Sequence, residues 1–129
     1  MISPHVQVAI GELGASFPGS SVLREPDGSG GARVLIEQIA LSPTYAQSDT
    51  WLGAHIPVQI PYADVYPLFV RGDLARKDGR SLGEAMAPGH SFMNRAAVQV
   101  SRRTNARDPS VETPTLKFLK VIEWIRARP

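Results

Sequence analysis

Apolar residues recur along the chain with two different periods, and the change of period marks out the elements. Near the start, Val6, Ala9, Ile10 and Leu13 fall at near-helical spacing, with Ser3 and Pro4 placed to open a helix. This predicts a short amphipathic helix over residues 4–14 that ends at Gly14, although Val6 and Val8 also fit a strand. Phe17-Pro18-Gly19-Ser20 reads as a turn. From Ser21 the pattern becomes that of strands. Val22 to Glu25 is short, Pro26 to Gly31 is a strong turn signal, and Ala32 to Leu41 carries Val34, Ile36 and Ile39, consistent with a hairpin. Trp51 to Ile60 is the next strand, with Pro57 demanding an edge or a bulge near its end. Leu68-Phe69-Val70 forms a shorter fourth strand.

Residues 72–89 are glycine-rich and polar and read as a long loop or flap with one helical turn near Leu82–Met86. A short alternating run, Ala97 to Val100, then leads to Ser101, with Arg102 and Arg103 directly behind it. Thr113 is placed to cap a final helix whose first residue is Pro114. On that helix Lys117, Lys120, Glu123 and Arg126 mark a polar face, and Leu116, Leu119, Val121 and Ile122 turn inward. Trp51 and Trp124 are both expected to be at least half buried, because rings of that size rarely stay exposed without a partner.

Composition narrows the chemistry. A chain of 129 residues is one domain by size, and 43% apolar with 20% charged residues suits a folded globular protein. There are no cysteines, which excludes disulfides, thiolate metal sites and cysteine nucleophiles. His5, His55 and His90 stand at no metal-ligand spacing, so neither a metal nor another cofactor is expected. No apolar run approaches membrane-spanning length and the N-terminus lacks the order of a signal peptide, which points to the cytoplasm. The net charge of +2 does not by itself imply nucleic-acid binding. The eleven arginines are nevertheless unevenly spread, with Arg71, Arg76, Lys77 and Arg80 in one cluster and Arg95, Arg102, Arg103 and Arg107 in another. Each cluster reads either as solvated surface or, for the second, as a group that meets an acidic partner or a developing negative charge.

Two stretches together resemble the ubiquitin-conjugating enzymes (the E2, or UBC, family). The first is WLGAHIPVQIPYADVYPLFV, Trp51 to Val70, whose Ile60-Pro61 and Tyr66-Pro67 match a hydrophobic-Pro pair and a Tyr-Pro pair between two strands of that family. The second is His90 to Ile125: His90 fits the histidine of a His-Pro-Asn motif, Ser101 falls at or beside the active-site cysteine position, and Thr113-Pro114 opens the following helix. Ser91 stands where the motif has proline, and Asn94 lies slightly later than its asparagine. The resemblance implies an α+β fold of UBC type: an N-terminal helix, a four-stranded antiparallel meander and a C-terminal helix over residues 1–129, lacking the last helices of the family.

It also implies a function. Compact proteins of this kind occur in bacterial ubiquitination-like operons, and the chain would accept a ubiquitin-like protein from an adenylating activating enzyme as an oxyester on Ser101 and pass it to an amine. A serine hydroxyl is hardly ionised near neutral pH, so it needs a base or strong oxyanion stabilisation. The resemblance offers His90 as the base, with Asp108, the activating enzyme or bulk water as substitutes. Arg102 or Arg103 would favour the alkoxide, and Asn94 or Asn105 would donate to the oxyanion. Ser101 is expected in a shallow groove between the extended segment and the flap. The alternatives are an inactive variant that binds a ubiquitin-like protein without an ester, a Cys-to-Ser replacement that traps one, and a small α+β scaffold whose function sits on the 72–89 loop.

Overall fold

The computed structural model describes residues 1–105 and 107–129. Helix α1, Pro4–Ala15, opens with proline in its first turn and buries Val6, Ala9, Ile10 and Leu13. Six strands follow: β1 (Val22–Pro26), β2 (Ala32–Ala40), β3 (Asp49–Ile56), β4 (Leu68–Arg71), β5 (Met86–Phe92) and β6 (Arg95–Val100). Helix α2, Pro114–Arg126, closes the chain, its first turn capped by Thr113 Oγ1, which accepts from the Leu116 amide at 3.0 Å.

The strands form one antiparallel sheet in the order β1-β2-β3-β4-β6-β5, with a helix at each end of the chain. This corrects the expected UBC-like four-stranded meander. The end of the segment read as flap, from Met86, and the approach to Ser101 form a full hairpin, in which β6 pairs with β4 on one side and β5 on the other, while residues 72–85 remain a long connection with no helical turn. Its first strand hides from a pattern search because Pro88 and Gly89 sit in a bulge between Ala87 and His90, and only its ends, Met86 and Phe92, are buried. Strand β3 ends at Ile56 because Pro57 has no amide to continue the ladder. The peptide bonds Ile60-Pro61 and Tyr66-Pro67 are both cis.

Both helices lie on the same face of the sheet. Their apolar sides meet Val34, Ile36, Leu52, Ala54, Leu68, Val70, Val98 and Val100 in the main core. Strand alternation sends Leu35, Trp51, Phe69 and Ala97 to the opposite face, which no helix of the described residues covers. The tip of the β5–β6 hairpin folds over that face instead. Phe92 stacks on Phe69 at 4.9 Å and on Trp51 at 6.3 Å between ring centroids. Gly53 makes this possible, since a Cβ there would sit 2.6 Å from Cε2 of Phe92. Arg95 then grips Glu37 on β2 through two bonds of 2.8 and 3.1 Å. Trp51 and Trp124 are both mostly buried.

Helix α2 departs from its expected polar face at one position. Lys117 is 4% exposed, whereas Leu119 faces solvent. Lys117 follows the four-residue spacing of Val121 and Ile125, so it belongs to the buried stripe, and its ammonium is met there by Asp64.

Candidate functional site

After Val100 the chain leaves the ladder and crosses toward α2. Alternation along β6 puts Gln99 and Ser101 on the sheet face away from the helices, while Val98 and Val100 enter the core. Ser101 is partly exposed; its amide donates to the Ala85 carbonyl at 2.8 Å, and its hydroxyl accepts from Gln99 Nε2 at 3.2 Å. This serine therefore lies next to the end of the 72–89 segment.

The other predicted residues divide into those the fold brings near Ser101 and those it carries away. His90 pairs with Ala97 across the hairpin. Ser101 lies four residue steps beyond Ala97, just past the end of β6, about 13 Å at the usual rise. His90 is exposed at the outer edge of the sheet and out of reach of the serine. Asn94 is further still: with Met93 it forms the hairpin turn, both in the left-handed region at φ 63 and 48, a conformation that asparagine tolerates. Asp108 is engaged locally, accepting from the Ser110 amide at 3.0 Å and hydroxyl at 2.7 Å, bonds that hold its carboxyl below the usual range. Asn105 is exposed on the segment after Ser101, together with Arg102 and Arg103.

What fixes that segment is Lys117. Its buried Nζ donates to Asp64 at 3.2 Å, to the Arg102 carbonyl at 2.5 Å and to Thr104 Oγ1 at 2.9 Å. Asp64 also accepts from the Thr104 amide at 3.0 Å and lies 3.7 Å from Arg107. Burial lowers the pKa of Lys117, while the Asp64 carboxylate opposes that shift. The network ties three separate stretches together: the 57–67 loop, the β6 exit and α2.

With its backbone held down, the exit segment turns its arginines outward. The Arg102 guanidinium lies 4.7 Å from the centroid of Trp124, which Arg128 also approaches at 4.7 Å. Arg103 lies 4.1 Å over Tyr66. Among the described residues none of these three arginines is ion-paired with a carboxylate, in contrast to Arg71, Arg76, Arg95 and Arg107. Arg102 and Arg103 line a groove of about 80 Å³ together with Lys117, Lys120, Val121 and Trp124.

A larger hollow of about 380 Å³ opens on the other face, between Trp51, Glu37, Asp49, Arg71 and Asp73. Its carboxylates are each met by an arginine: Arg71 bonds Asp73 and lies 3.4 Å from the Asp49 carboxylate, and Arg95 holds Glu37. No cluster of three or more metal-ligating side chains exists among the described residues, and none of their helices is long and apolar enough to cross a membrane.

Sequence reasoning missed Lys117, Asp64, Tyr66 and Trp124 as parts of this region. For Lys117 the signal was present in its spacing from Val121 and Ile125. For Asp64 and Tyr66 there was none, since their partners lie far along the chain. Comparison with known protein families, with characterised proteins and with solved structures finds no match to this chain.

Proposed function

We propose that this protein is a non-covalent binding module for a ubiquitin-like protein, akin to inactive variants of the ubiquitin-conjugating enzymes and working in the cytoplasm. The observation that carries the choice of binding over catalysis is the β5–β6 register. It sets His90 opposite Ala97, about 13 Å of strand from Ser101, and so leaves the serine hydroxyl with Gln99 as its only side-chain hydrogen-bond partner among the described residues. A hydroxyl without a base is a poor acyl acceptor. The class of partner rests on the resemblance carried by Trp51 to Val70 and His90 to Ile125.

A second reading keeps Ser101 as the acyl carrier. In its favour are the partly exposed serine and two arginines following it with no carboxylate partner among the described residues. One experiment separates the two. The protein is mixed with a ubiquitin-like protein, its activating enzyme and ATP. Reversible binding without an adduct agrees with the binding module. An adduct that resists thiols, is cleaved by hydroxylamine and disappears in Ser101→Ala would overturn it in favour of the oxyester.

A further inference from the structure

We propose that the groove at the β6 exit is a docking site for an acidic peptide, a run of aspartate and glutamate side chains on a partner chain. This inference does not depend on the ubiquitin-like partner.

Four cations line the groove: Arg102, Arg103, Lys117 and Lys120. Lys117 is met by Asp64 and Lys120 by Glu112, each at 3.2 Å, which leaves Arg102 and Arg103, with Arg128 beside them on Trp124, as cations that no carboxylate pairs among the described residues. Elsewhere on the surface most arginines are neutralised within the fold, so this excess of positive charge is local and not a property of the whole chain, whose net charge is only +2. The cations are also pre-oriented. Lys117 fixes the Arg102 carbonyl and Thr104, and Trp124 and Tyr66 support the flat faces of the guanidinium groups. A guanidinium stacked on a ring loses little further freedom when its edge takes a carboxylate, and that edge presents paired N–H donors in the geometry a carboxylate accepts.

The same stacking argues against nucleic acid. Single strands are held chiefly by bases stacking on aromatic rings, and here Trp124 and Tyr66 are already covered by guanidinium groups. A partner that lays an extended acidic stretch along residues 101–104 would place carboxylates on Arg102 and Arg103, which project from adjacent positions toward different rings.

The test is fluorescence anisotropy with a labelled glutamate-rich peptide, at low and at high salt. Saturable binding is expected, weakening about tenfold in the Arg102→Ala/Arg103→Ala double variant and falling as salt screens the contacts. Arg33→Ala, on the opposite face, should bind like the wild type. In the unmodified protein the indole N–H resonance of Trp124 should shift on titration, a readout that needs no variant. The proposal is overturned if the wild type shows no saturable binding at millimolar peptide, or if the double variant, folded by circular dichroism, binds equally well. It is also overturned if an oligothymidylate of equal charge binds more tightly than the peptide in the same buffer.

Discussion

Two arginine-rich stretches of this chain treat the same side chain in opposite ways. In residues 71–80 Arg71 and Arg76 each find a carboxylate two positions ahead, Arg71 bonding Asp73 and Arg76 bonding Asp78 at 3.1 and 2.8 Å, and the exposed Arg80 lies 3.9 Å from Asp78. There the charge is spent on shaping a long connection, and Arg76 further reaches the Pro129 carbonyl at 2.6 Å. In residues 101–104 no carboxylate lies nearby in sequence, and Arg102 and Arg103 rest on aromatic rings instead. The first arrangement closes the charge off; the second leaves it facing outward. What separates them is where the carboxylate sits. At the β6 exit the acid, Asp64, is committed to Lys117, Thr104 and Arg107.

The contrast breaks most severely at Lys117. Replacing it with methionine leaves Asp64 largely buried with a poorer set of donors, and the carbonyl of Arg102 loses its bond. Removing one member of a buried pair costs about 3 kcal/mol or more, and the Asp64 side chain is 17% exposed, so a loss of about 3 kcal/mol is expected. Urea denaturation would measure it. The Lys117→Met/Asp64→Leu double variant should regain part of the loss, because no charge is then left unpaired. If Lys117→Met were nearly neutral, the exit segment would be held by something other than this network.

Next in size is Arg71→Ala. The guanidinium is about one-third exposed, with bonds to Asp73 and to the Asp49 carbonyl, so the expected cost is about 1 kcal/mol after allowing for solvent. By comparison Arg102→Ala and Arg103→Ala should each change stability by less than about 0.5 kcal/mol, since each loses only an exposed contact with a ring. Thermal melts of the three single variants test the distinction directly. Equal losses at Arg71 and Arg102 would mean that both stretches are structural.

The sequence discloses these two stretches unequally. The helices are legible because Val6, Ala9, Ile10 and Leu13 keep a helical period and Thr113-Pro114 is a strong start signal. Strands β1 to β4 show alternation between turn residues, whereas β5 is an edge strand with Pro88, Gly89, His90 and Ser91 exposed, so it has no apolar period to read. That one omission also misplaced the candidate site. An antiparallel hairpin sends residues before its turn away from residues at the far end of its second strand. His90 and Asn94 are thus near Ser101 in sequence and distant from it along the strand. Ser101, Arg102, Arg103 and Asn105 stay together through chain continuity alone. The groove itself was not legible, because Trp124 reaches it, and Tyr66 reaches Arg103, only through long-range packing.

The smallest effect, and the one most specific to the closed arrangement, is the titration of Asp78. Its hydrogen bonds from Arg76, then from the Arg80 amide, lower its carboxyl from 3.8 to about 2. A carboxyl whose folded pKa is depressed favours the folded state above its unfolded value, here 3.8, and that contribution fades as pH falls through about 2. Asp27 and Asp73 are shifted in the same direction, the first mainly by His55 and the second mainly by Arg71. Stability should therefore hold above pH 3.8 and decline between there and about 2, with the 71–80 connection loosening in that window. Carboxyl carbon shifts followed by NMR should give Asp78 a midpoint near 2, and Arg76→Gln should move it back toward 3.8. A wild-type midpoint already at 3.8 would show that Arg76 does not hold Asp78 in solution, and Arg76 would then be no more closed off by a neighbouring carboxylate than Arg102 or Arg103.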